Sequence, residues 1–173
     1  MRVLGIDPGT VVVGYGVVDS NDGQEKMVVC GVLTAPAKLK PAERLSILYK
    51  GLEKLVARIK PDAVAVETPF VSQNVSSALA IGRAQAVALL AAANKGIPTF
   101  EYSPAQVKQR VASYGASSKE QIQQMVKMQL GLSEIPQPSD AADALAVALC
   151  HLSEVHVDGL LGEQSPKRKR RTT

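Results

Sequence analysis

The chain has 173 residues, 46% of them hydrophobic, which is enough for one core and too little for two full domains. Its two cysteines, Cys30 and Cys150, lie in apolar runs without C-x-x-C spacing, which argues against a disulfide framework or a zinc site and for buried thiols in a reducing compartment. The formal net charge is +4, but five of the 20 basic residues stand together at 167–171, leaving 15 basic against 16 acidic residues elsewhere, so the folded body is not basic overall.

Residues 2–7, 11–19 and 27–34 are rich in Val, Ile and Leu and are separated by Pro8-Gly9 and Asn21-Asp22-Gly23; they predict three consecutive strands. Leu45, Leu48, Leu52, Leu55 and Ile59 recur at helical spacing behind Pro41, predicting a helix over 41–59. Pro61 breaks it. The uninterrupted run Ala63-Val64-Ala65-Val66 then suits a central strand covered on both faces, and it delivers Glu67 at its C-terminal end. Residues 68–73 read as a loop. Asn74 is a candidate N-cap for an Ala-rich helix to about Asn94, which Gly96 and Pro98 stop. Residues 98–102 predict a fifth strand, and Ser103-Pro104 opens a helix to about Ser113. Ser117 and Glu120 offer a capping box for a helix to about Leu130, and a last helix is expected from near Ser139 through Leu152.

This order predicts an α/β architecture, one sheet with helices on both faces. A single folded body over 1–156 is expected, followed by a disordered basic tail over 157–173. No apolar run reaches the ~18 residues that crossing a bilayer needs, and the N-terminus leads straight into a strand, so a soluble cytoplasmic protein without a membrane partner is expected.

Four carboxylates stand out. Asp7 ends an apolar strand before a Pro-Gly turn, and Glu67 ends another, where packing has no use for an acid; ligand sites in open α/β sheets lie at such ends. Asp140 and Asp143, three apart, project from one face of the first turn of the last helix. Each has a plain alternative, as a turn former, an edge acid or a residue favoured by the helix dipole. Together they suit an all-oxygen site for hard divalent cations such as Mg²⁺, because neighbouring carboxylates repel unless a cation bridges them.

In order along the chain, Leu4-Gly5-Ile6-Asp7-Pro8-Gly9-Thr10, Gly14-Tyr15-Gly16-Val17, Val66-Glu67 with Phe70 three residues on, Gln106-Val107-Lys108-Gln109 and Asp140-Ala141-Ala142-Asp143-Ala144-Leu145-Ala146 resemble the motifs of the RuvC family of Holliday junction resolvases, over about residues 2–152. The resemblance implies an RNase H-like fold with a five-stranded mixed sheet, a homodimer, and cleavage of four-way junction DNA with Mg²⁺ or Mn²⁺. It carries the family's catalytic acids onto Asp7, Glu67, Asp140 and Asp143, and a catalytic lysine onto Lys119, with Lys108 as second candidate. Phe70 matches an aromatic that stacks on junction bases, in a polar loop with Gln73 and Asn74 as further DNA contacts. A branch-migration helicase partner is implied by the resemblance alone.

Val11 and Val13 stand where relatives more often have a polar residue, and Thr68-Pro69 stiffens the approach to Phe70. The alternatives are an ATP-binding protein of the sugar kinase and actin type, a relative acting on RNA, and a module that binds junctions without cutting them. Lys119, in a first helical turn where the dipole disfavours a cation, suggests a functional demand. His151 is expected to be a partly exposed structural histidine. The small residues of 74–94, among them Ala78, Gly82, Ala84, Ala88 and Ala92, predict close approach of a second copy of that helix across a two-fold axis.

Overall fold

A computed structural model describes residues 1–69, 75–112 and 117–163, with side chains through residue 157. The elements are β1 (Arg2–Asp7), β2 (Val12–Asn21), β3 (Gln24–Thr34), α1 (Pro41–Ile59), β4 (Ala63–Glu67), α2 (Val75–Ala93), β5 (Thr99–Tyr102), α3 (Pro104–Ala112), α4 (Lys119–Gln129) and α5 (Ser139–Glu163). They build one five-stranded mixed sheet in the order β3-β2-β1-β4-β5. The first three strands are antiparallel neighbours, and β4 runs parallel to both β1 and β5.

Side-chain alternation along each strand assigns residues to the two faces. Leu4 and Ile6 of β1, with Val64 and Val66 of β4, are buried in a core with Leu48, Leu52 and Leu55 of α1 and Ala88, Ala91 and Ala92 of α2. Val3, Val18 and Ala65 are buried on the other face, with Val107 and Val111 of α3, Ile122 and Val126 of α4, and Leu145 through Cys150 of α5. The sheet is thus covered on both sides, as its near-continuous apolar runs require. β2 and β3 turn through Asp22 and Gly23, both at positive φ, as a tight hairpin demands.

Two expectations are revised at helix ends. The cap of α4 is Ser118 with Gln121, whose side chains and backbone N–H groups exchange bonds of 2.8 and 3.3 Å, rather than Ser117 with Glu120. Both pairs fit the same four-residue pattern, but Ser117 is buried while Ser118 faces solvent. The last helix runs to Glu163, past Leu152, and takes in 157–163, which composition had assigned to the tail. Extending a formed helix costs little per residue, and Arg110 of α3 holds Glu154 in the added turns by two bonds of 2.7 and 2.8 Å.

A third revision concerns α2, which is long and apolar enough to cross a bilayer by length and composition. Within the fold it packs against α1 and β4, with Ala84, Ala88, Ala91 and Ala92 buried. Of the small residues expected to meet a second copy, these are therefore spent inside the domain.

Candidate active site

Strand parity and two glycines bring the four acids together. Asp7 follows Val3 and Gly5 on the face that α5 covers, and Glu67 follows Ala65 on the same face of the adjacent strand. Across from them, Gly5 and Gly14 leave room for α5 to lie directly on β1 and β2. A Cβ on Gly5 would overlap the Ala144 carbonyl oxygen, and one on Gly14 would overlap that of Asp140. Ala141, Ala142 and Ala144 fill the contact completely buried. The first turn of α5 is thereby held above the end of β1, which is paired with β2 at Asp7 and Gly14.

The electrostatics are those of crowded anions. Burial first, then the charges of Asp143 and Asp140, push the Asp7 carboxyl up to about 6. Burial and the charges of Asp7 and Asp143 push Glu67 up to about 7. Asp7 and Glu67 lie close enough to shift each other's titration, a crowding that marks a site short of positive charge. One cation is already supplied: Lys119 Nζ lies 2.6 Å from Asp143 Oδ2. That bond, opposed by burial, raises the Lys119 pKa, so the ammonium stays charged. Lys108 sits half-buried on α3 and makes no ion pair among the described residues, so of the two lysines it is Lys119 that reaches the acids.

Among the described residues, no three acidic, histidine or cysteine side chains are drawn into a ready-made metal cage. Instead Asp7 lies against Glu67, each raising or lowering the other's pKa, and Asp143 is paired with Lys119. The donor set itself is all carboxylate oxygen, with Asp7 and Glu67 held at raised proton affinity, which suits a hard divalent cation that replaces the proton. Phe70, Gln73 and Asn74 lie outside the described residues, as does the tail from 164 onward.

His151, expected to be partly exposed, is 1% exposed. Its Nδ1 is 2.7 Å from the Tyr102 hydroxyl and its ring lies 4.3 Å from Phe100 between centroids. Burial lowers its pKa, so the ring is a neutral packing element. Tyr102 pairs with Glu67 in the sheet register, so the histidine backs the strand next to the acids without touching them.

The chain as a whole has known relatives. A family model described as crossover junction endodeoxyribonuclease RuvC matches residues 3–151. The chain belongs to the RuvC family. RuvC of Dehalococcoides mccartyi is 58% identical over 154 residues, covering 89% of this chain and 92% of the relative. RuvC of Chloroflexus aurantiacus is 52% identical over 151 residues, covering 87% and 92%. The solved structure of Thermus thermophilus RuvC superposes with a TM-score of 0.83 at 35% identity, covering 91% of this chain and 97% of that one. The same RuvC in complex with a Holliday junction substrate gives a TM-score of 0.82. An RNase H-like fold and a RuvC nuclease body are thereby established for the described residues.

Proposed function

We propose that this chain resolves four-way DNA junctions by metal-dependent hydrolysis of two opposed strands, with Mg²⁺ as the natural cation and Mn²⁺ as a substitute. The observation that carries this reading is the convergence of Asp7 and Glu67 from adjacent strand ends with Asp140 and Asp143 from α5, with Lys119 inserted at its edge. A protein that only bound junctions would gain nothing from such a cluster, since bare carboxylates repel phosphate.

Asp7 is the proposed shared ligand, with Glu67 toward one of two ions and Asp140 and Asp143 toward the other. When bound, the ions supply Lewis-acid stabilisation of the phosphoryl oxygens and a water acidic enough to attack near neutral pH. The protein's own part is to release the proton that the raised pKa values of Asp7 and Glu67 favour, and to keep the four carboxylates fixed on strand ends and a helix rather than on loops. Lys119 brings a permanently charged ammonium, which turns from Asp143 toward the scissile phosphate or the attacking water and offsets charge that grows in the transition state.

Two equivalent cuts call for two sites related by a two-fold axis, so a homodimer belongs to the proposal. Its support is the outer face of α2, where Val75, Leu79 and Leu90 are 64%, 60% and 52% exposed beside an apolar hollow lined by Pro69, Ala78 and Gly82. A cytoplasmic location and a branch-migration helicase partner rest on family membership. The deciding experiment compares cleavage of a four-way junction and of linear duplex, with Mg²⁺ and with EDTA. Symmetric nicks in the junction alone, abolished by EDTA, are expected; equal cutting of both substrates, or cutting in EDTA, would overturn the reading.

A further inference from the structure

At the edge of the sheet where β1 ends, a cavity of about 60 Å³ opens on the face opposite the four acids, lined by Thr10, Pro41, Arg44, Leu45, Ala80 and Arg83. Topology explains its position. Thr10 lies three residues past Asp7, Pro41 begins α1 after β3 has ended beside the start of β2 at Val12 and Thr34, and α2 follows the end of β4. A water needs roughly 10–15 Å³ of such space, so the cavity takes a group of a few heavy atoms.

Its chemistry is that of an anion site. Arg44 directs Nη1 to the carbonyls of Ala37 and Leu39 at 3.0 and 3.4 Å, which fixes the guanidinium, yet its buried Nε has no acceptor. A buried donor left unpaired is costly, and an acceptor brought in by a ligand would relieve it. Neither Arg44 nor Arg83 forms an ion pair among the described residues. Arg83 is also the one charged residue of α2, placed mid-helix where the surrounding sequence is apolar. Two guanidinium groups without a carboxylate partner among the described residues line one small cavity together with Thr10, a combination suited to a phosphate group.

We propose that Arg44, Arg83 and Thr10 form a subsite for a phosphodiester of the substrate strand, away from the bond that is cut. It rests on the reading of the chain as a junction nuclease and adds to it an anchoring point on the far side of β1. With one phosphate held there and another among the acids, the strand is clamped across the Asp7-Pro8-Gly9-Thr10 turn, which fixes its register relative to the acids. Arg83 is a positioning residue in this scheme, and its exposed side chain can be replaced without disturbing the core.

The test uses four-way junctions in which single phosphates near the cut are replaced, one at a time, by uncharged methylphosphonate. Binding is measured with the Asp7→Asn protein, so that strands stay intact, with and without Arg83→Gln. Expected are about a tenfold loss of affinity from Arg83→Gln, a salt slope reduced by about one, and one methylphosphonate position that weakens the arginine-bearing protein but has no further effect on Arg83→Gln. Thr10→Val should reproduce that position with a smaller loss. Inorganic phosphate titrated alone separates the sources: saturable binding by phosphate with no sensitive junction position would assign the cavity to a free anion and overturn the subsite. Unchanged affinity and salt slope for Arg83→Gln would overturn it as well, while junction cleavage by the unaltered protein would leave the nuclease reading standing.

Discussion

Gly14→Ala probes how closely α5 must lie on the sheet for the acids to work together. The added methyl would overlap the Asp140 carbonyl oxygen and stand 2.6 Å from its carbon and 3.1 Å from the Asp140 Cβ. All three are atoms of a proposed metal ligand or of the backbone that carries it, and none belongs to a flexible side-chain tip. Relief requires the start of the helix to move on the order of 1 Å, a misplacement that costs roughly 100-fold in rate at a site built on fixed geometry. Overpacking of this kind costs about 1–3 kcal/mol of stability, which a domain of this size survives. Single-turnover cleavage of a junction at saturating protein should therefore fall about 100-fold, while urea denaturation reports a folded protein. Gly23→Ala is the control: its Cβ meets nothing, but its φ of +76° is strained for alanine, so it loses about 1 kcal/mol at unchanged rate. Cleavage by Gly14→Ala within threefold of the unaltered protein, or equal rate losses in the two variants, would refute the reasoning.

Lys119→Ala should lower the rate at saturating junction by 100-fold or more, with binding changed less than threefold, as measured by single-turnover cleavage beside a binding titration. Asp7→Asn should abolish cutting and, without metal, stabilise the fold at pH 8. The folded pKa of Asp7, about 6, lies above its unfolded value, so the native state gains protons relative to the unfolded one and stability falls as pH rises through that window. The variant escapes that loss, giving a gain of about 1–3 kcal/mol at pH 8 that shrinks toward zero by pH 4. His151, held below its usual 6.5 by burial, acts in the opposite sense as pH falls below that value, but equally in both proteins, so it cancels in a comparison of chemical denaturation in EDTA. Saturating Mg²⁺ at pH 8 should raise the melting temperature of the unaltered protein more than that of Asp7→Asn. Leu79→Glu on the outer face of α2 should yield monomers in sedimentation equilibrium at micromolar protein, while the unaltered chain sediments as a dimer.

What the sequence made legible was whatever rests on local pattern. The amphipathic spacing behind Pro41 predicted α1 at its observed bounds, Pro41–Ile59, and the strand-terminal acids stood out because packing had no use for them. Lys119 was visible as a cation against the helix dipole, and it does meet Asp143. What depended on tertiary contact was hidden. Nothing local reveals that Gly5 and Gly14 exist to admit α5, because the need arises from where that helix crosses β1 and β2. His151 gave no sign of being buried, since its cover comes from Phe100 and Tyr102 on β5. Arg83 did carry a signal, a lone charge amid nineteen residues of apolar helix, but its partner Arg44 lies on another element and only the fold brings them to one cavity.

The alternation of faces along β1 has an evolutionary consequence. Val3, Gly5 and Asp7 share one side of the strand, and Leu4 and Ile6 the other, so the chemistry depends on whether a position is odd or even as much as on which residue fills it. A conservative replacement at Val3 alters packing by degrees. Insertion or deletion of a single residue before Asp7 would turn its carboxylate into the core beneath α1 and α2 and turn isoleucine toward the acids, a total failure from the smallest change in length. Lineages carrying this nuclease should therefore exchange the apolar residues of β1 and β4 for one another while keeping Gly5, Asp7 and Glu67, accept length changes in the β2–β3 hairpin tip, where Gly23 faces open space, and keep the number of residues in the two central strands constant.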